Sequence, residues 1–174
     1  MNIRKATMED APGIGKVHVD SWQTTYKNIV SDRFLNQLSY DNRTNLWKRN
    51  ISENEFHIVV AENEEGEIIG FASGKQEDSG NFPDYDGDIT SIYLLDEYQG
   101  QGVGQKLLEA VFYQFRILGY NSAVVWVLKD NRSRHFYEKT GAEVLIDDQK
   151  VKIGGDQLDI MAYGWKDLSV GVKL

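Results

Sequence analysis

The apolar positions of this chain change period several times, and each change marks an element. Residues 2–7 alternate weakly and read as a first strand. Thr7, with Glu9 and Asp10 just behind it, has the pattern of a helix start, and Pro12 is tolerated there. Ile14, Val17, His18 and Trp22 then share one helical face. A second stripe (Phe34, Leu35, Leu38, Leu46 and Trp47) predicts one helix over residues 32–50. Residues 56–62 and 68–75 are β-prone runs flanking a polar turn, which predicts a hairpin, and the Gly-, Asp- and Pro-rich residues 76–87 predict a loop. Residues 88–95 form the next strand. Val103, Leu107, Val111, Phe115 and Leu118 mark a helix that stops at Gly119. The continuous apolar run 123–128 predicts a central strand buried on both faces. Asp130 or Asn131 then caps a short helix ending at Gly141, and residues 144–153 and 157–165 form a closing hairpin. Hairpins beside strand–helix–strand units give one α/β domain over residues 1–174 with mixed strand directions.

Composition narrows the chemistry. At 174 residues, 41% apolar and 26% charged, the chain has the make-up of an ordinary globular domain with a real core. No apolar run is long enough to cross a membrane, and Met1-Asn2-Ile3-Arg4-Lys5 is not the start of a signal peptide, so a cytoplasmic location is expected. The absence of cysteine excludes disulfides, thiolate metal sites and a Cys nucleophile. His18, His57 and His135 have no metal-ligand spacing, so no metal site is expected and each reads as a surface or packing residue. A net charge of -8 disfavours nucleic acid; it serves solubility and suits a cationic partner such as an amine.

The strand over 88–95 runs into Asp96-Glu97-Tyr98-Gln99-Gly100-Gln101-Gly102-Val103-Gly104-Gln105, and a helical pattern starts at once. Glycines let main-chain N–H groups converge, and the helix start adds unpaired N–H groups and partial positive charge, so the turn suits phosphate. It is not a P-loop: Lys106 follows Gln105 rather than Gly, and Leu107 stands where Ser or Thr is needed. It is not a dinucleotide fingerprint either, because Gln105 occupies the third glycine position.

What fits is Gln-x-x-Gly-x-Gly, as Gln99, Gly102 and Gly104. A second run, Asn131 to Phe136-Tyr137 and Gly141 after an apolar strand, lies in matching order and spacing, and the segment from His18 to Tyr26 with Trp47 adds a third. Together these resemble the GCN5-related N-acetyltransferase (GNAT) family over most of the chain. The resemblance implies a single-domain GNAT-like α/β fold with a mixed sheet of about six or seven strands, flanked by about four helices and splayed between the fourth and fifth strands. It implies acetyl-CoA as cosubstrate, with coenzyme A as product. Ile92, Tyr93 and Leu94 would offer main-chain groups to the pantetheine arm, residues 99–105 (Gln99, Gly100, Gln101, Gly102, Val103, Gly104, Gln105) would cradle the pyrophosphate, and Asn131 would touch the arm from the other side.

Direct attack by an amine on a thioester needs a neutral amine, a polarised carbonyl and a proton for the leaving sulfur. By resemblance a main-chain N–H near Leu94 polarises the carbonyl and Tyr137 supplies the proton. Asp88, eleven residues before Gln99, stands where many members carry a Glu base, with a chain of waters as the alternative. The spacing from Asn131 to Tyr137 is one residue short of the commonest form, which leaves Asp130 as an alternative to Asn131, and Asp96 stands where Pro is frequent. Trp22, Tyr26 and Tyr93, with Glu77, Asp78, Asp84 and Tyr85, could meet at the acceptor side, where aromatic faces and carboxylates suit a cation. The acceptor implied is a small cationic amine. A protein N-terminus or lysine, or a non-catalytic acyl-CoA-binding module, are the competing readings; a groove rather than a closed pocket would favour protein. Family habit allows a homodimer, and neither nucleic acid nor membrane is an expected partner.

Overall fold

A computed structural model describes residues 1–169 of the chain. Its elements are β1 (Asn2–Lys5), α1 (Ala11–Thr25), α2 (Asp32–Asn36), α3 (Tyr40–Ser52), β2 (His57–Glu62), β3 (Ile68–Gln76), β4 (Gly87–Leu94), α4 (Val103–Ile117), β5 (Ala123–Leu128), α5 (Arg134–Lys139), β6 (Glu143–Ile153) and β7 (Asp156–Trp165). The strands form one seven-stranded sheet in the order β1-β2-β3-β4-β5-β7-β6. β4 and β5 are parallel, and every other neighbouring pair is antiparallel. The expected mixed α/β sheet is present. No helix of the described residues is long and apolar enough to cross a membrane.

Each face of the sheet carries its own core. On one face α4 buries Val103, Leu107, Leu108, Val111 and Phe115 against Ile89, Val125 and Val127. On the other, Ile14 and Val17 of α1 and Trp47 of α3 close over Ile58, Val60 and Phe71. Burying each such side chain contributes about 1.5–3 kcal/mol, so both faces are firmly anchored. At the first edge the Arg4 guanidinium grips the buried Asp10 carboxylate at 2.7 Å and Glu62 at 2.7 Å, which ties β1 and β2 to the start of α1.

The structure corrects the single helix expected over residues 32–50. Ser31 Oγ accepts from the Phe34 N–H and Ser39 Oγ from the Asn42 N–H, so each serine caps its own helix and the chain turns between them. Both helices point apolar residues inward, hence the appearance of one stripe. The short helix expected after Asp130 or Asn131 starts later, at Arg134.

The parallel pair sets up the site. β4 and β5 are in register only at Gly87↔Ala123, Asp88↔Val124 and Ile89↔Val125. At the next residue β4 bulges: Ser73 of β3 faces Ser91 and Gly74 faces Ile89, which leaves Thr90 extra. The Thr90 and Ser73 hydroxyls bond at 2.6 Å. A bulge bends its strand and sharpens the twist. Beyond it β4 stays with β3 as far as Leu94, while β5 stays with β7 as far as Leu128, so the two parallel strands part as the resemblance implied.

Candidate active site

The parting of β4 and β5 opens a cleft of about 730 Å³. That lies within the usual range of small-molecule sites. One wall is β4 from Ile89 to Leu94; the other is Val125, Trp126 and Val127 of β5 with Asn131, Phe136 and Tyr137 beyond it. β4 has no strand partner on this side after Ile89, so its main-chain groups on that edge face the cleft, where the Leu94 carbonyl accepts from Gln99 Nε2 at 3.4 Å.

At one end lies the glycine turn. Gln99, Gly100, Gly102, Gly104 and Gln105 line the cleft there. Gly102 caps α4 with φ 78°, a left-handed conformation that side chains rarely adopt. No atom lies within 4 Å of where a Cβ would stand on Gly100 or Gly102, and at Gly104 such an atom would meet only the Phe136 ring at 3.6 Å. The start of α4 therefore presents its N–H groups to open space. The loop glutamines bind within the chain: Gln101 Nε2 donates to the Glu97 carbonyl at 3.0 Å, and Gln105 Nε2 to Glu109 at 3.0 Å. Arg132 and Lys139 are the charged residues among those lining the cleft, and both are cations. This donor set fits a pyrophosphate-bearing ligand.

The α5 side carries the second motif. Asn131 is buried, and its Oδ1 accepts from the Ser133 N–H at 2.9 Å, shaping the turn into α5. Asp130 is exposed and off the cleft, so Asn131 is the residue brought to it despite the short spacing. Tyr137 is 5% exposed, packed near the Tyr163 and Trp165 rings, and reaches the cleft wall. Burial, with Tyr93 nearby, holds its phenol well above the ordinary range, so it keeps its proton through neutral pH.

The other end is aromatic. Tyr26, at the end of α1, and Tyr93 bring their hydroxyls to 3.4 Å. Burial raises both phenols, which stay neutral. Trp126 stands on the β5 wall, packed on Phe82 at 5.6 Å. Behind Tyr93 lies His18, 6% exposed, with its ring stacked on Tyr93 at 5.3 Å and 18°. The Trp47 indole N–H donates to His18 Nδ1 at 3.0 Å. Burial, and then the Arg43 guanidinium, push this imidazole down to about 3, so it is neutral.

Several expected residues lie elsewhere. Asp88 does not line the cleft. Gly87 lies against Phe115 and Ile89 packs in the α4 core, so Asp88 between them projects from the opposite face, with Glu77, Lys75 and Asp78 as its charged neighbours. Burial and Glu77 push its carboxyl up to about 6. Trp22 packs behind the wall, edge-on to Tyr26 at 4.5 Å. The Val103 side chain is core, and Gln101 is not among the cleft residues. Glu77, Asp78 and Tyr85 line a separate depression of about 380 Å³ with Phe82 and Tyr120; Asp84 lines neither cavity. His135 is exposed beside Glu138 at 3.2 Å. Among the cleft residues that sequence reasoning passed over are Thr90, Trp126, Arg132 and Lys139. Trp126 was open to discovery by parity, since it shares a strand face with Leu128.

An anion cradle at one end of a slot between parting parallel strands, with a buried hydroxyl and aromatic walls along it, is the layout of an acyl-transferring enzyme. The model of the acetyltransferase (GNAT) family matches residues 18–142, and the chain belongs to that family. YuaI of Bacillus subtilis (strain 168), an uncharacterized N-acetyltransferase, is 38% identical over 172 residues, 97% of this chain and 95% of that protein. The spermine/spermidine N(1)-acetyltransferase of the same organism is 28% identical over 118 residues, 64% of this chain and 65% of that protein. Among solved structures, PaiA N-acetyltransferase from Thermoplasma acidophilum in complex with coenzyme A has a TM-score of 0.71 at 24% identity, covering 94% of this chain and 98% of that one.

Proposed function

We propose that this protein is an acetyl-CoA-dependent N-acetyltransferase acting on a small primary amine. One observation carries the reading: the cleft runs unbroken from the glycine turn, past the free edge of β4, to Tyr137 and the aromatic end. Acetyl-CoA supplies the thioester; the amine nitrogen attacks its carbonyl carbon, the carbon–sulfur bond breaks, the sulfur takes a proton and an amide remains. The N–H groups of residues 100–104 hold the pyrophosphate, helped by the positive end of α4. The free edge of β4 at Ile92, Tyr93 and Leu94 bonds the arm as a neighbouring strand would, and a main-chain N–H near Leu94 polarises the carbonyl. Asn131 flanks the arm. Tyr137, kept protonated by burial, gives its proton to the sulfur, and the proton shed by the attacking nitrogen passes through solvent and restores the phenol.

Two features favour a small cationic amine over a protein. The β6–β7 hairpin packs Val151, Ile153, Leu158 and Ile160 with Phe34, Leu35 and Tyr26, which walls the acceptor end with the chain's own side chains. The Tyr26, Tyr93 and Trp126 rings suit a cation, at about 0.5–2 kcal/mol each, and the net charge of -8 draws cations in. The relative that acetylates spermine and spermidine is consistent with this choice. The test is calorimetric titration with acetyl-CoA, with ATP and NAD as controls, followed by assay of coenzyme A release with spermidine, an α-amino acid and a lysine peptide. Micromolar binding of acetyl-CoA alone and release with a small amine are expected. Absence of acetyl-CoA binding, or release with the peptide only, overturns the proposal.

A further inference from the structure

His18 has no part in the chemistry above, yet it is a buried titratable group one ring away from the cleft. Its surroundings are unusually defined. The Trp47 N–H fixes Nδ1 as an acceptor, so the single imidazole proton sits on Nε2. Phe71 meets the ring in an edge contact at 5.9 Å and Tyr93 stacks on it in near-parallel contact. Arg43 on α3 is the charged neighbour, and with burial it keeps the ring neutral. The chain of contacts continues outward from Tyr93 to the Tyr26 hydroxyl, and both tyrosines line the cleft. It links α3, α1 and β4, and it ends at the cleft.

Tyr93 needs such a support. It stands on the part of β4 that has lost β5 as a neighbour, so only β3 restrains the strand laterally there. A tyrosine hydroxyl swings on two side-chain torsions, and its position is set by whatever packs on the ring faces. His18 supplies one of those faces. Because the ring is neutral and held by Trp47, it does so without an unpaired buried charge.

We propose that His18 is a positioning residue for amine capture: pinned by Trp47, it holds the ring of Tyr93, and so the Tyr93–Tyr26 hydroxyl pair, at the acceptor end of the cleft. The inference rests on the acetyltransferase reading only in naming the amine as the group received. It separates two jobs of the imidazole that substitutions can tell apart. His18→Asn keeps an acceptor for the Trp47 N–H and removes the ring. His18→Phe keeps a ring for Tyr93 and removes the acceptor.

The experiment measures steady-state kinetics with spermidine, or with whichever amine of the panel is turned over, for the parent chain and both variants. It adds fluorine NMR of protein carrying 3-fluorotyrosine at position 93. His18→Asn is expected to raise the KM for amine about tenfold, a difference of about 1.4 kcal/mol, with the KM for acetyl-CoA within about twofold, and to broaden or split the Tyr93 resonance. His18→Phe is expected to lower thermal stability while leaving one Tyr93 resonance. A His18→Asn protein with parental amine KM and a single sharp resonance overturns the proposal, as does an equal rise in both KM values. Should the parent turn over no amine at all, the acetyltransferase reading fails, and the Tyr93 resonance alone still decides whether His18 holds that ring.

Discussion

Replacing Gly104 by alanine pulls protein stability and ligand affinity in opposite directions, which makes it the sharpest test of the glycine turn. Gly104 is the second residue of α4, and a Cβ there would meet only Phe136 ring carbons at 3.6 and 3.7 Å, an ordinary contact. Glycine in a helix costs roughly 0.5–1 kcal/mol relative to alanine, so Gly104→Ala is expected to stabilise by about that amount. For a chain of this length that raises the melting temperature by about 1–4 °C. The same methyl group would occupy space above the first N–H groups of α4, where a phosphate oxygen must come. Losing one charge-assisted hydrogen bond costs about 1.5–3 kcal/mol, or roughly 10- to 150-fold in the Kd for coenzyme A. Gly102→Ala is the contrast: its φ of 78° is retained only against strain of about 1–2 kcal/mol, so stability and affinity should fall together. Thermal melts and calorimetric titration with coenzyme A, with pantetheine as the control lacking pyrophosphate, measure both quantities. A Gly104→Ala protein that melts higher and binds coenzyme A as tightly as the parent would refute the assignment of this turn to phosphate.

Tyr137→Phe should lower kcat by about 10²- to 10⁴-fold, the range of a lost proton donor, with the Kd for acetyl-CoA within about threefold; parental turnover would remove Tyr137 from the chemistry. Asp88→Asn should leave kcat/KM within about threefold, because Asp88 is not among the cleft residues; loss of turnover would restore it as the base. Asp88 also makes stability depend on pH. Its carboxyl rises from 3.8 to about 6 on folding, so the native state binds its proton more tightly and this group reduces stability as pH rises from about 4 through 6. Asp88→Asn should therefore be more stable than the parent by about 1–3 kcal/mol at pH 8 and equal to it below pH 4 in urea titrations; equal stability at both pH values would show that the carboxyl is not buried. Gly154→Ala should destabilise, since φ is 61° and the new Cβ would fall 2.7 Å from Phe34 Cβ; a parental urea midpoint would mean that the hairpin tip does not press on α2.

Local chemistry was legible where it was written in consecutive residues. The apolar run before Gly100, the Gly102–Gly104 pair and the stripe from Val103 to Phe115 named a strand, a turn and a helix, and the structure has all three. The break at Ser39 was hidden because Phe34, Leu35, Leu38 and Trp47 all point inward, and a hydrophobic stripe does not reveal that the axis turns. Asp88 lies off the cleft for a different reason. Counting back from Gln99 gives a position along the strand, whereas access to the cleft depends on where β4 leaves β5, one residue past Ile89. Nothing local to His18 announces Tyr93 as its neighbour, since the two meet only once α1 has folded across the sheet.

Three residue pairs join β4 to β5. In mechanical terms the sheet is two panels, β1 to β4 and β5 to β7, on a short hinge, with α4 and the apolar packing bracing them from outside. A ligand spanning the gap acts as a splint between the panels. The amide hydrogens of β4 that face the gap beyond Ile89 are therefore the ones whose exchange should slow most when the cleft is filled, and their protection would report how rigidly the two halves are then held.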